Sequence, residues 1–60
     1  MDFEYDVTFV YPYTTVRRII WTPETDEDKV LDIAIREIAN ETGLDVSGAD
    51  AMVELTGTLV

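Results

Sequence analysis

From residue 2 to residue 9 the chain alternates without a fault, and Tyr11 keeps the phase. Phe3, Tyr5, Val7, Phe9 and Tyr11 fall on one side, and Asp2, Glu4, Asp6 and Thr8 on the other. A period of two carried by aromatic and β-branched residues is a strand with one buried face and one wet face. Such an apolar row cannot stand alone in water, so the rest of this 60-residue chain must supply its cover. A sheet with a single covered face is the architecture that follows.

The remaining segments supply that cover. Pro12 interrupts the first run, since proline donates nothing to a ladder, and Thr15 to Trp21 is again β-branched, so the two runs predict a hairpin. Arg17 and Arg18 are adjacent and must point to opposite faces of that second strand. The pattern leaves open which face is buried. With Ile19 and Trp21 in the core, Val16, Arg18 and Ile20 share the wet face, and Arg18 stands near Asp6. In that arrangement the wet face also shows Val10, Met52, Thr56 and Val60. A helix start follows, with Thr25 as cap and Asp28 in the capping-box position, or with Thr22 as cap and Pro23 in the first turn. Val30, Leu31, Ala34, Ile35, Ile38 and Ala39 form its apolar face, opposite Lys29, Asp32, Arg36 and Asn40, with Asp32 and Arg36 spaced to pair. Gly43 is a left-handed stop. Leu44 to Asp50 reads as a loop and Ala51 to Leu59 as a third strand, with Gly57 a candidate bulge.

The expected fold class is α+β, a three-stranded antiparallel sheet with one helix packed on one face, in the order β-β-α-β. Residues 1–60 form one small acidic domain. The first strand is the most regular and belongs in the centre, and a right-handed crossover through the helix sets the third strand antiparallel to it. A chain of this length buries only about 60% of the surface it exposes when unfolded. With no cysteine, it has no disulfide or thiolate metal site to add stability.

Composition narrows the function. Thirteen acidic residues stand against four basic ones, a formal charge of −9. Such a field repels nucleic acid and anionic membranes and favours basic protein surfaces. Without histidine or cysteine, and with one lysine and Ser47 alone in a loop, the usual general bases and activated nucleophiles are missing, so the chain reads as no enzyme and as cofactor-free. A carboxylate pair would need a cleft that a domain this small rarely encloses. Asp26, Glu27 and Asp28, or Asp45 and Asp50, lack the spacing of a calcium loop, and no metal is expected. The first of these clusters suits a helix dipole instead. The acidic start and the absence of a long apolar run predict neither a signal peptide nor a membrane span, hence a cytoplasmic location. In that setting the sequon Asn40-Glu41-Thr42 goes unused.

Three groups stand out as contacts for a basic partner. Asp2, Glu4 and Asp6 project from one strand face at about 6.6 Å intervals, Glu24, Asp26, Glu27 and Asp28 crowd the helix start, and Tyr11 and Tyr13 flank Pro12 in an aromatic turn. Arrayed carboxylates of this kind can imitate a nucleic-acid backbone, although duplex DNA carries a charge every ~1.7 Å. Glu37 and Glu41 add a third acidic group along the helix edge. Ile33, on the polar side of the helix, joins Ile20 and Met52 as candidates for self-association.

The run Ile19-Ile20-Trp21-Thr22-Pro23-Glu24-Thr25-Asp26-Glu27, passing from a hairpin into an amphipathic helix ahead of a last strand, resembles the small phage-encoded inhibitors of host enzymes, such as the short α+β inhibitor of bacterial RNA polymerase. Members of that group use arginines near the final strand, whereas this chain has none after Arg36, so no functional residue carries over. The resemblance implies an inhibitor of a host enzyme. With the net charge of −9, the expected function is a non-enzymatic acidic binding protein, an inhibitor or nucleic-acid mimic that masks a basic surface on a nucleic-acid-handling or defence enzyme. A self-associating structural or virion module is the alternative, and a halophilic housekeeping domain the third.

Overall fold

The alternating segment becomes the middle of the sheet. In this computed structural model, which describes residues 1–59, the elements are β1 (Asp2–Val10), β2 (Thr15–Thr22), α1 (Glu27–Thr42) and β3 (Asp50–Leu59). The strands form one antiparallel sheet in the order β2-β1-β3, and α1 lies across one face, giving the expected β-β-α-β, α+β arrangement. The hairpin closes on the pair Val10–Thr15, and the Tyr11 N–H donates to the Thr14 carbonyl at 2.9 Å. On the other side of β1, Glu4 pairs with Gly57 and Tyr5 with Leu55. Thr56 is therefore the extra residue of a bulge, one place before the glycine that signalled it.

Tyr5, Val7 and Phe9 of β1 meet Ile20 of β2, Val30, Ala34 and Ile38 of α1, and Val46 of the α1–β3 loop in the core. The buried end of Tyr5 is satisfied, its hydroxyl donating to the Glu24 carbonyl at 2.7 Å. Phe3, Tyr11, Val16 and Val53 close the margins.

The phase of β2 is opposite to the arrangement weighed from sequence. Ile20 is 1% exposed, while Ile19 is 44% and Trp21 58% exposed. Ile20 lies opposite Tyr5 and Arg18 opposite Val7, on the helix side. Ile20 is thus core, which removes it both from the wet face and from any contact between copies. Arg17, not Arg18, stands on the face of Asp6.

The helix also starts later than either capping scheme implies. Its cap is Asp26, in an extended conformation, whose carboxylate accepts the Asp28 N–H at 3.0 Å. The upstream candidates are occupied with turn backbone: Thr22 Oγ1 accepts the Glu24 N–H, and Glu24 Oε1 accepts the N–H groups of Thr25 and Asp26. An aspartate cap of this kind contributes about 1 kcal/mol. At the other end Gly43 sits at φ 75° and its N–H reaches the Ala39 carbonyl at 2.9 Å. The buried stripe is centred on Val30, Ala34 and Ile38, so Ala39 turns out to solvent while Ile33 packs against the core from the opposite flank. Ile33 is accounted for by that packing. The Asp32–Arg36 pair is not among the ion pairs of the described residues.

Candidate functional site

With α1 on one face, the other face of the sheet has no cover among the described residues. Alternation brings Asp2, Glu4, Asp6, Thr8 and Val10 of β1 to it, and the register adds Arg17, Ile19 and Trp21 from β2 and Asp50, Met52 and Glu54 from β3. Trp21 lies opposite Glu4, Ile19 opposite Asp6, and Asp6 opposite Glu54 across the centre of the sheet. Met52, 62% exposed, and the half-open Val10 extend the apolar surface toward the hairpin end. The face therefore combines large exposed side chains with a carboxylate on nearly every neighbouring position. Trp21 and Ile19 stand on the β2 margin and Met52 on the β3 margin, with Glu4 and Asp6 on the strand between, so apolar flanks enclose a charged middle. Exposed aromatic and aliphatic side chains beside charge suit protein docking.

Its electrostatics differ from a bare row of charges. The Arg17 Nε donates to Asp6 Oδ1 at 2.8 Å and Oδ2 at 2.9 Å, with a further bond from Nη2 to Oδ2. These hydrogen bonds, more than simple proximity of charge, hold the Asp6 carboxyl below the usual carboxylate range and raise Arg17. Glu4 accepts from the Thr56 hydroxyl at 2.8 Å, which fixes its carboxylate over the bulge. Asp2 is exposed, and Glu54 faces solvent beside the Asp6–Arg17 pair. Asp6 is thus committed within the protein, and the strand row offers less free charge than its sequence implies.

The other arginine works on the far side. Arg18 passes under the helix end to bond both Glu37, at 3.2 Å, and Glu41, whose carboxyl is held below its ordinary range by that hydrogen bond. Glu37 and Glu41 fall in phase with Val30 and Ala34 at 100° per residue, a signal for this bridge that the sequence contains. What reads there as an acidic edge is a clamp between β2 and α1.

The helix-start acids and the aromatic turn do not join the sheet acids in one patch. Glu24 and Asp26 are occupied with backbone amides, whereas Glu27 and Asp28 are exposed in the first turn. Tyr11 and Tyr13 lie at the opposite end of β1, a nine-residue strand roughly 27 Å long. The two tyrosines also part company. Tyr11 packs on the core, and Tyr13 is 98% exposed. With Pro12, Thr14, Val16 and Leu44 they line a shallow apolar hollow of about 330 Å³.

Asp45 accepts from both the hydroxyl and the N–H of Ser47, bonds that lower its pKa, and it does not gather with Asp50. Among the described residues no three acidic side chains cluster as a metal site would need, and no helix is long and apolar enough to cross a membrane. Val60, counted with the wet face from sequence, lies outside the described residues. Compared with known protein families, curated proteins and solved structures, the chain matches none. Sequence reasoning missed Ile19, Trp21 and Glu54 as surface residues; once Arg17 is assigned to Asp6, parity along β2 exposes the first two.

Proposed function

We propose that this chain is a non-enzymatic binding protein whose open sheet face docks on a basic surface of another protein, of the kind with which nucleic-acid-handling or defence enzymes grip their substrates. The observation that carries this reading is the pairing of exposed Trp21, Ile19 and Met52 with Asp2, Glu4, Asp50 and Glu54 on one uncovered face. Apolar contact along the two margins supplies affinity, and the carboxylates between and beside them select a partner of opposite charge. The same carboxylates oppose self-association through this face, because two copies at a net −9 each would set like charges together. Masking such a surface is how a small inhibitor or nucleic-acid mimic acts, and a phage or plasmid origin fits that role.

The test is retention of a basic binding partner by the immobilised protein and by its Ile19→Ser/Trp21→Ser variant. Both side chains are exposed, so the fold should survive. The variant should lose the partner, Asp32→Lys on the outer side of α1 should keep it, and rising salt should weaken retention by the native protein. Equal retention by the double variant refutes the assignment to this face. A dimer or larger assembly by light scattering, dispersed by the same double variant, would instead establish the self-associating module.

A further inference from the structure

The uncovered sheet face accounts for Met52 but not for the state of β3 as a whole. None of the described side chains of β3 is buried, although the strand carries Ala51, Met52, Val53 and Leu55. Met52 points to the open face, opposite Thr8, while Leu55 points to the helix face, opposite Tyr5, and is still 55% exposed. On β2 the helix-side positions Ile20 and Thr22 are buried. The helix therefore seals the β2 margin more fully, whereas on β3 only Val53 is half-buried against the core and Met52 and Leu55 stay open, one on each face.

A partner lying flat on the open face could cover Met52 and would leave Leu55 in water. A strand added alongside β3 would cover both, because successive side chains of the added strand flank both faces. Unpaired edges are normally blunted by lysine, proline or a bulge. The edge from Asp50 to Leu55 has no lysine, arginine or proline, and its bulge begins only at Thr56. Its charges are the two carboxylates Asp50 and Glu54.

We infer that the outer edge of β3, from Asp50 to Leu55, is a strand-addition site for an extended, basic segment of the partner protein. Main-chain hydrogen bonds to the edge give affinity, apolar side chains of the segment cover Met52 and Leu55, and its cations meet Asp50 and Glu54. A second copy of β3 would set carboxylates against carboxylates in the same place, which opposes that occupant. This inference rests on the proposed basic partner and adds how that partner is held.

The probe is an octapeptide alternating lysine and valine, compared with the same peptide N-methylated at every residue, so that neither of its edges can donate to a sheet. Hydrogen exchange of individual amides is followed in the native protein. The outward N–H groups between residues 50 and 55 should slow by ~10-fold or more with the first peptide and stay unchanged with the second. Leu55→Lys, on the face away from Trp21 and Ile19, should weaken peptide binding at least ~10-fold with the helix signal by circular dichroism intact. Protection on β2, equal binding of the methylated peptide, or no protection at millimolar peptide overturns the inference. So does slowing that follows the protein's own concentration without peptide, which would assign the edge to a second copy. Failure of the open-face reading is distinguishable, because it appears in the Ile19→Ser/Trp21→Ser variant and leaves the Leu55→Lys result standing.

Discussion

Two adjacent isoleucines offer the sharpest test of how β2 is set in the sheet. Ile20 is sealed between Tyr5 and the helix, and Ile19 stands beside it in solvent. Removing one methyl from a sealed isoleucine costs about 0.5–1.5 kcal/mol, through lost transfer free energy and the void left behind. For a domain of this size each kcal/mol moves the melting temperature by roughly 4–8 °C. Ile20→Val should therefore lower Tm by about 2–12 °C. Ile19→Val removes a methyl that is already wet and keeps the β-branch, so its effect should stay within about 0.5 kcal/mol, or less than ~4 °C. Valine is the informative replacement. Alanine at position 20 would cost about 2–5 kcal/mol, comparable to the whole ~3–5 kcal/mol margin of a domain this small, and would leave too little folded protein to compare. Thermal and urea unfolding of both variants should be run side by side. If Ile19→Val loses as much stability as Ile20→Val, the phase of β2 described above is wrong.

Two further outcomes follow from the helix start and the ion pairs. Asp26→Ala should destabilise by about 1 kcal/mol in urea unfolding and Thr25→Ala by much less, since the aspartate alone accepts an amide of the first turn; equal losses would return the cap to Thr25. Hydrogen bonds lower the pKa of Asp6, Glu41 and Asp45 in the folded state, so at acid pH the unfolded chain binds the extra protons. The stability from these groups is complete above the ordinary carboxylate range, about pH 4, and is lost as pH falls through the lowered values. Measured in about 1 M salt, which screens the general repulsion among acids, unfolding midpoints should drop below that range. In Arg17→Gln the Asp6 carboxyl, followed by NMR, should titrate nearer its ordinary value, and an unchanged titration would deny the pair its role.

The outline of the fold was written in the first strand, the helix stripe and Gly43, because each places a strong apolar or conformational demand on its own residues. The phase of β2 was not. One of its faces holds Thr15, Arg17, Ile19 and Trp21, and the other Val16, Arg18, Ile20 and Thr22. Each offers one arginine, one isoleucine, a second large apolar residue and a threonine, so alternation alone does not choose between them. The choice is made by tertiary contacts: the four-residue turn fixes the pairing, and Glu37 and Glu41 receive Arg18. Local patterns likewise could not separate a capping aspartate from its acidic neighbours, since that depends on where the Glu24 carboxylate folds back. As for the candidate site, the acids were legible as charges. Their partners were not, because Arg17 meets Asp6 and Thr56 meets Glu4 only across strand pairings.

Both arginines of β2 are consumed inside the molecule, one on each face. The side-chain cations left over, Lys29 and Arg36, are exposed on the helix. Asp2, Glu4, Asp6, Asp50 and Glu54, answered there only by Arg17, lie on the open sheet face. The helix side nevertheless holds eight acids, from Glu24 to Asp45, so the open face at a net −4 and the remainder at a net −5 carry nearly equal charge. Near a positively charged body the protein is therefore attracted from every side, with no face chosen by charge alone. Charge then raises the frequency of encounter in dilute salt, and the choice of face is left to Trp21, Ile19 and Met52 once the two bodies touch.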